Sequence, residues 1–261
     1  MHALRIFWTF TKIGFQNEAA YRANFWVEIF ESIVNISSAA GAIGVVFTQT
    51  QNLAGWSSSE LLVLLGVYFT VYGAINVVIS PSLSRFMEDV RQGNLDFTLT
   101  KPADAQLLVS ISEVRVWKLV DLSLGLILLA RGLAGIPGRV SLAGGAGFAL
   151  ALLAGSVTVY AFWMVLSTFA FWFIRLENIL FLFWNMYLAG RWPVSIYPRW
   201  LRIGLTAVVP VAFAVTVPAE ALAGRLTAWN LSLACIVAVV LAILSRAFWR
   251  QGLRRYSGAS A

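Results

Sequence analysis

The feature that most constrains this chain is a succession of mostly apolar runs, each about as long as a bilayer is thick. Residues 29–49, 61–80, 117–136, 148–173 and 227–247 form such runs, and a shorter one covers 177–190. About 20 apolar residues in a helix match the hydrocarbon core of a membrane. A soluble domain carries roughly 25% charged residues, whereas this chain has 12% charged and 59% hydrophobic residues. That leaves too little polar surface to cover a soluble fold, so lipid has to cover much of it. In lipid every backbone polar group must be paired within the protein, and a helix does this segment by segment. The expected fold is an all-α membrane protein of six transmembrane helices in a single domain, 1–261.

Charge decides how these runs are threaded. Between the last two lies Ile203–Ala219, uncharged but interrupted by Pro210 and Pro218. If it does not cross, thirteen of the 19 Lys and Arg residues fall on one side, in segments 1–24, 81–118, 174–178 and 246–261. The other six fall in 131–147 and 190–227. The positive-inside rule then puts the richer side, with both termini, in the cytoplasm. If the segment crossed, Arg246, Arg250, Arg254 and Arg255 would lie outside, against that rule. Residues 191–225 are therefore expected as a broken, re-entrant or surface-lying segment on the outer side, with breaks at Pro193, Pro198, Pro210 and Pro218. The net charge of +7 fits anionic lipid headgroups better than nucleic acid, because the basic residues sit between apolar runs rather than along one soluble face.

Chemistry has little to work with here. The chain has one Cys, Cys235, inside an apolar run, and one His, His2. Neither a zinc site nor histidine-based catalysis can be assembled from that. There is no G-x-x-x-x-G-K-[ST] phosphate loop. The chain is expected not to be an enzyme and to hold no metal or cofactor of its own.

The longest polar stretch, 81–118, lies on the inner side in this reading. Arg85, Glu88, Asp89 and Arg91 favour a short charged helix stopped by Gly93. Phe86, Met87 and Leu95 supply apolar anchors beside them. Such a mixed-charge element suits the docking of a soluble partner; a solvated loop has the same composition. Arg175 and Glu177, in the tight inner loop between spans four and five, are a smaller candidate contact or an interfacial anchor. At the N-terminus, Leu4, Phe7, Trp8, Phe15 and Ala19 fall on one helical face, as in an interfacial helix over 1–24 or a helix packed on the protein.

Three stretches resemble the ABC-2 type permeases, especially the subfamily that includes viologen-exporter-like permeases. The first is Phe15-Gln16-Asn17 followed by Tyr21-Arg22-Ala23-Asn24-Phe25. The second is Asp89-Val90-Arg91-Gln92-Gly93-Asn94-Leu95-Asp96 with Lys101-Pro102. The third is Trp192-Pro193 with Ile196-Tyr197-Pro198, then Pro210 and Val217-Pro218-Ala219-Glu220. The resemblance implies an exporter half of six spans with an interfacial N-terminal helix, a coupling helix between spans two and three, and re-entrant helices before span six. It implies a bacterial inner membrane location, and pairing with a second copy or a related permease. It also implies a separate ATPase dimer that binds ATP and Mg. Arg85, Glu88, Asp89, Arg91, Leu95 and Asp96, with Arg175 and Glu177, are the residues expected at the ATPase.

Ionisable groups inside spans are functional candidates by default. Glu28, Glu31 and Asn35 share one face of span one and could meet a substrate at the inner mouth, or lie at headgroup level. Trp172 and Trp184 are candidates for an aromatic path. Lys118 and Asp121 are placed to pair as i, i+3 neighbours. The rival readings are an ion-coupled secondary transporter, which would need midplane ion sites and usually an inverted repeat, and a membrane assembly factor.

Overall fold

The computed structural model of the chain describes residues 22–136, 141–173 and 177–256. Every element among them is helical apart from turns and one isolated bridge between Leu53 and Trp56. Among the described residues, four helices are long and apolar enough to cross a membrane: Trp26–Gln49, Ser58–Gln92, Leu142–Phe171 and Ala228–Leu253. A fifth candidate is a pair, Arg199–Val208 and Ala212–Leu222, bent by 82°. The expected interfacial helix and Arg175 lie outside the described residues.

The first helix, α1 (Arg22–Gln49), contains the 29–49 run. The second, α2 (Ser58–Ala74), begins with a reciprocal cap. The Ser57 hydroxyl accepts from the Glu60 amide, and the Glu60 carboxylate accepts from the Ser57 amide at 2.7 Å. That motif satisfies two of the otherwise orphaned donors of a first turn. Leu61, Val63, Leu64, Leu65, Val67, Tyr68 and Phe69 are all buried, so α2 is enclosed by protein on every side and forms the centre of the bundle.

One expectation needs correcting here. The charged helix is expected as a short element within 81–118, apart from the 61–80 span. Instead α2 runs through a π turn, Ile75–Ile79, directly into α3 (Ser80–Gln92), giving one helix of 35 residues. Proline breaks helices largely because it lacks the amide that would serve the carbonyl four residues earlier. That carbonyl is Val77, and it accepts instead from the Arg115 amide at 2.8 Å. Beside it, the Ser82 hydroxyl donates to the Glu113 carbonyl at 2.7 Å and accepts from the Glu113 amide at 3.0 Å. The returning chain repairs the helix it would otherwise have interrupted. The helix ends at Gly93 (φ 74°), where the Asn94 amide donates to the Asp89 carbonyl at 2.8 Å. A left-handed residue there suits glycine.

Beyond it come two short helices, α4 (Asp96–Leu99) and α5 (Ala105–Ser110), then α6 (Leu119–Ala134), which covers most of the 117–136 run in 16 residues. α6 lies antiparallel against α2 with backbones almost touching. A Cβ built on Gly66 would sit 2.5 Å from the Leu129 backbone, and one on Gly73 would sit 2.5 Å from Leu122. Gly125 and Gly132 approach Thr70 and Val63 equally closely. Small residues at such crossings let helices pack in lipid without a hydrophobic driving force.

α7 (Leu142–Thr168) is capped by the Ser141 hydroxyl, which accepts from the Gly144 amide at 3.0 Å. The 177–190 run forms α8 (Glu177–Tyr187) and a 3-10 turn to Arg191. It stops there because Trp192 precedes Pro193 and is held extended (φ −121°, ψ 147°). Of the expected proline breaks, Pro193, Pro198 and Pro210 stand at interruptions between helical pieces. Pro198 is the residue before α9 (Arg199–Ile203). Pro218 is a correction: it lies within the continuous helical stretch Ala212–Leu222, near the start of α10 (Val217–Leu222). The preceding π turn, Ala212–Thr216, loosens the hydrogen-bond register so that proline is accommodated. The last helix is α11 (Ala228–Leu253), capped by Thr227.

The bent pair returns to where it began. The Arg225 guanidinium donates to Glu60 at 3.0 and 2.8 Å and covers the Trp56 ring at 5.1 Å. Arg191, just before the pair, sits over Tyr68 and Phe69 of the same helix. The 191–225 segment thus starts and ends on the half of the 35-residue helix nearer Ser58.

Candidate functional site

At the Gln92 end of the bundle, a charged surface rests on a rigid aromatic floor. Arg91 forms a fork with Glu88, its Nε donating at 2.9 Å and Nη2 at 2.7 Å. Arg85 is exposed, and Asp89 and Asp96 are half-buried beside it. Leu95 is wholly buried, as is Phe86. They face the chain's own core, and the exposed apolar side chains are Phe97, 73% exposed, and Leu99. The turn of α4 turns Leu95 inward and leaves Phe97 and Leu99 outward.

Phe86 contacts Trp249 of α11 (centroids 5.0 Å apart) and Phe171 at the end of α7 (5.5 Å). A polar lock lies alongside. Arg246 of α11 donates through Nη1 to Asp104 Oδ1 at 3.0 Å and to Gln106 Oε1 at 2.7 Å, and through Nη2 to Asp104 Oδ2. The Asp104 carboxylate also caps α5 by accepting from the Leu107 amide at 3.0 Å. These hydrogen bonds, Arg246 first, hold the Asp104 carboxyl below the usual carboxylate range. Ser110 and Tyr160 of α7 share a further hydrogen bond at 2.7 Å. The segment after α3 is therefore joined to both α7 and α11.

A second polar group joins α1 to the start of α6. The Lys118 ammonium lies 3.7 Å from Glu28 and 4.0 Å from Asp121, and the Ser32 hydroxyl donates to Asp121. Asp121 is buried. Buried charges persist where they are paired and hydrogen-bonded, and Glu28 is used up in that way. Glu31 stays exposed on α1. Asn35 accepts from Arg191 Nη2 at 2.7 Å. Ser32 and Arg191 were missed from the sequence, although Ser32 shares the face of Glu28 and Asn35 at helical spacing.

The two tryptophans are not brought together by one contact network. Trp184 packs between Tyr72 (5.4 Å) and Trp163 (5.3 Å) in the middle of the bundle. Trp172 stacks on Phe248 of α11 at 5.1 Å, near the Gln92 end. Glu177 begins α8, and its side chain lies outside the described ones. Between α7, the bent pair and α11 is an apolar cavity of about 670 Å³, with Phe162, Val165, Val208, Pro210, Val237 and Val240 among its walls.

Comparison with known proteins returns one family. The family model described as ABC-2 family transporter protein matches residues 33–260. No curated protein and no solved structure gave a significant match. The matched span takes in α2 to α11, the charged surface, the Asp104–Arg246 lock, Lys118 with Asp121, and the cavity. The chain belongs to the ABC-2 family of transporter proteins.

Proposed function

We propose that the chain is the permease subunit of an ATP-binding cassette exporter, driven by a separate ATPase dimer that supplies ATP and Mg. It sits in the inner (plasma) membrane with six spans and both termini cytoplasmic, paired with a second copy or a related permease. Membership of the ABC-2 family over most of the chain carries this reading. In it, α6 and α8 complete the six spans. The bent pair is re-entrant, since Arg225 returns to Glu60 rather than crossing.

The proposed stroke begins at Arg85, Glu88, Asp89, Arg91 and Asp96, with Phe97 as the apolar anchor in place of Leu95. A helix of 35 residues is about 52 Å long, well beyond a hydrocarbon core of about 30 Å. Its charged end therefore stands clear of the membrane while its other end forms the bundle centre. Push on that end is carried sideways by Phe86 against Trp249 and by Asp104 against Arg246, into α7 and α11. These helices wall the apolar cavity, which would hold the apolar part of a hydrophobic or amphiphilic substrate. The motor can bias the permease only if its ATP-bound form prefers one permease state. Co-purification tests the contact. An Arg85→Glu/Arg91→Glu variant should lose ATPase binding and transport together, and undiminished binding with full transport would refute the assignment.

A further inference from the structure

Arg191 is a cation without a carboxylate. Lys118, Arg225 and Arg246 each lie within 4.0 Å of one, but among the described residues Arg191 forms no ion pair. Its guanidinium is held over the Tyr68 and Phe69 rings at 5.5 and 5.6 Å and gives a single hydrogen bond, to Asn35. Its Nε is buried and unpartnered, and so is the Tyr68 hydroxyl on the ring beneath it. Unmet donors at membrane depth are costly, because no bulk water replaces the missing acceptor.

Beside Arg191 is a cavity of about 170 Å³, walled by Ser38, Ala42 and Ile43 of α1, Leu65 of α2, and Arg191 and Trp192. That volume corresponds to about five or six waters, enough for one phosphate or carboxylate group. Apart from Ile43 the α1 wall is of small residues, and Ser38 and Ala42 are exposed on the outer surface of the bundle. An oxyanion entering there would find a planar cation, the Ser38 side chain and apolar walls for whatever it is attached to. Guanidinium binds phosphate and carboxylate better than it binds any neutral group, by paired charge-assisted hydrogen bonds.

We infer that Arg191, held over the Tyr68 ring, forms a binding site for the anionic head, phosphate or carboxylate, of an amphiphile that enters from the bilayer between α1 and the 191–192 turn. This rests on the permease reading and narrows its substrate class to anionic amphiphiles. A lone guanidinium would repel the head of a cationic one.

The test is equilibrium binding of radiolabelled dodecyl phosphate to the full chain in phosphatidylcholine nanodiscs, with no ATPase present. Failure of the ATPase contact therefore leaves this measurement untouched, and failure of this site leaves that contact untouched. Saturable binding is expected, weakened roughly ten- to a hundred-fold by Arg191→Gln, as loss of a charge-assisted hydrogen bond requires. Should Arg191→Gln fail to fold, Ala42→Phe decides, since it fills the cavity from the exposed face and leaves the guanidinium in place. It should abolish binding. Phosphatidylglycerol should compete, whereas inorganic phosphate and dodecyltrimethylammonium should not. Competition by inorganic phosphate at comparable concentration would overturn the amphiphile assignment. Equal binding of dodecyl phosphate by the wild type and by whichever variant folds would overturn the site.

Discussion

Arg246 in the last helix and Asp104 in the segment after α3 are joined by paired guanidinium–carboxylate hydrogen bonds across 142 positions of sequence. The same guanidinium holds Gln106, and Asp104 is at once the cap of α5. One ion pair therefore fixes both the end of a span and the start of a short, largely buried helix.

Replacing Asp104 by Asn should loosen that junction. The ion pair is partly exposed, so the cost in stability is small, about 0.5 kcal/mol. The expected signature is functional: ATPase binding is retained while transport per ATP hydrolysed falls. Parallel pull-down and vesicle transport assays check this.

The pH dependence of the same pair has a fixed sign. Arg246 lowers the Asp104 carboxyl below its unfolded value of 3.8. The stabilisation is present above that value and is lost as pH falls through the lower folded one. Thermal unfolding in detergent should show the wild type losing stability on acidification below about pH 4, with Asp104→Asn losing less over the same window.

Removing Lys118 should be far more damaging. Lys118→Met leaves buried Asp121 and partly buried Glu28 without their cation, at a cost of about 3 kcal/mol. Adding Asp121→Asn to that variant should recover part of the loss. A thermal melt of the three proteins measures it, and equal melting of Lys118→Met and wild type would contradict the pairing.

The α2–α6 crossing gives a paired control. Gly132→Leu drives a side chain into the Val63 backbone, 2.6 Å from where its Cβ would begin, and should cost at least about 1–3 kcal/mol. Gly41→Leu on α1 meets nothing within 4 Å and should melt like the wild type.

What was legible in the sequence was what is local. The apolar runs gave the positions of the long helices, Gly93 marked a helix end, and Glu28, Glu31 and Asn35 share one face of α1 by spacing, with Glu28 and Asn35 finding polar partners. Their partners were not legible, because Lys118, Ser32 with Asp121, and Arg191 meet only once helix faces have chosen one another. The continuity of the helix through Pro81 was not legible for the same reason: the amide that serves Val77 comes from Arg115, far along the chain. Gly66 with Gly73, and Gly125 with Gly132, each stand seven residues apart in plain view. That spacing acquires meaning only when α2 and α6 are known to be antiparallel neighbours. Leu95 read as a surface anchor because apolarity alone does not say which side of a short helix faces the core.

The account depends on an external motor moving these helices. The most direct measurement is transport of a fluorescent amphiphile in vesicles containing the full chain, with and without its ATPase, under ATP or under an imposed ion gradient. Transport is expected only with the ATPase and ATP, and it should stop when the ATPase cannot hydrolyse. Transport by the chain alone, driven by an ion gradient, would contradict the account.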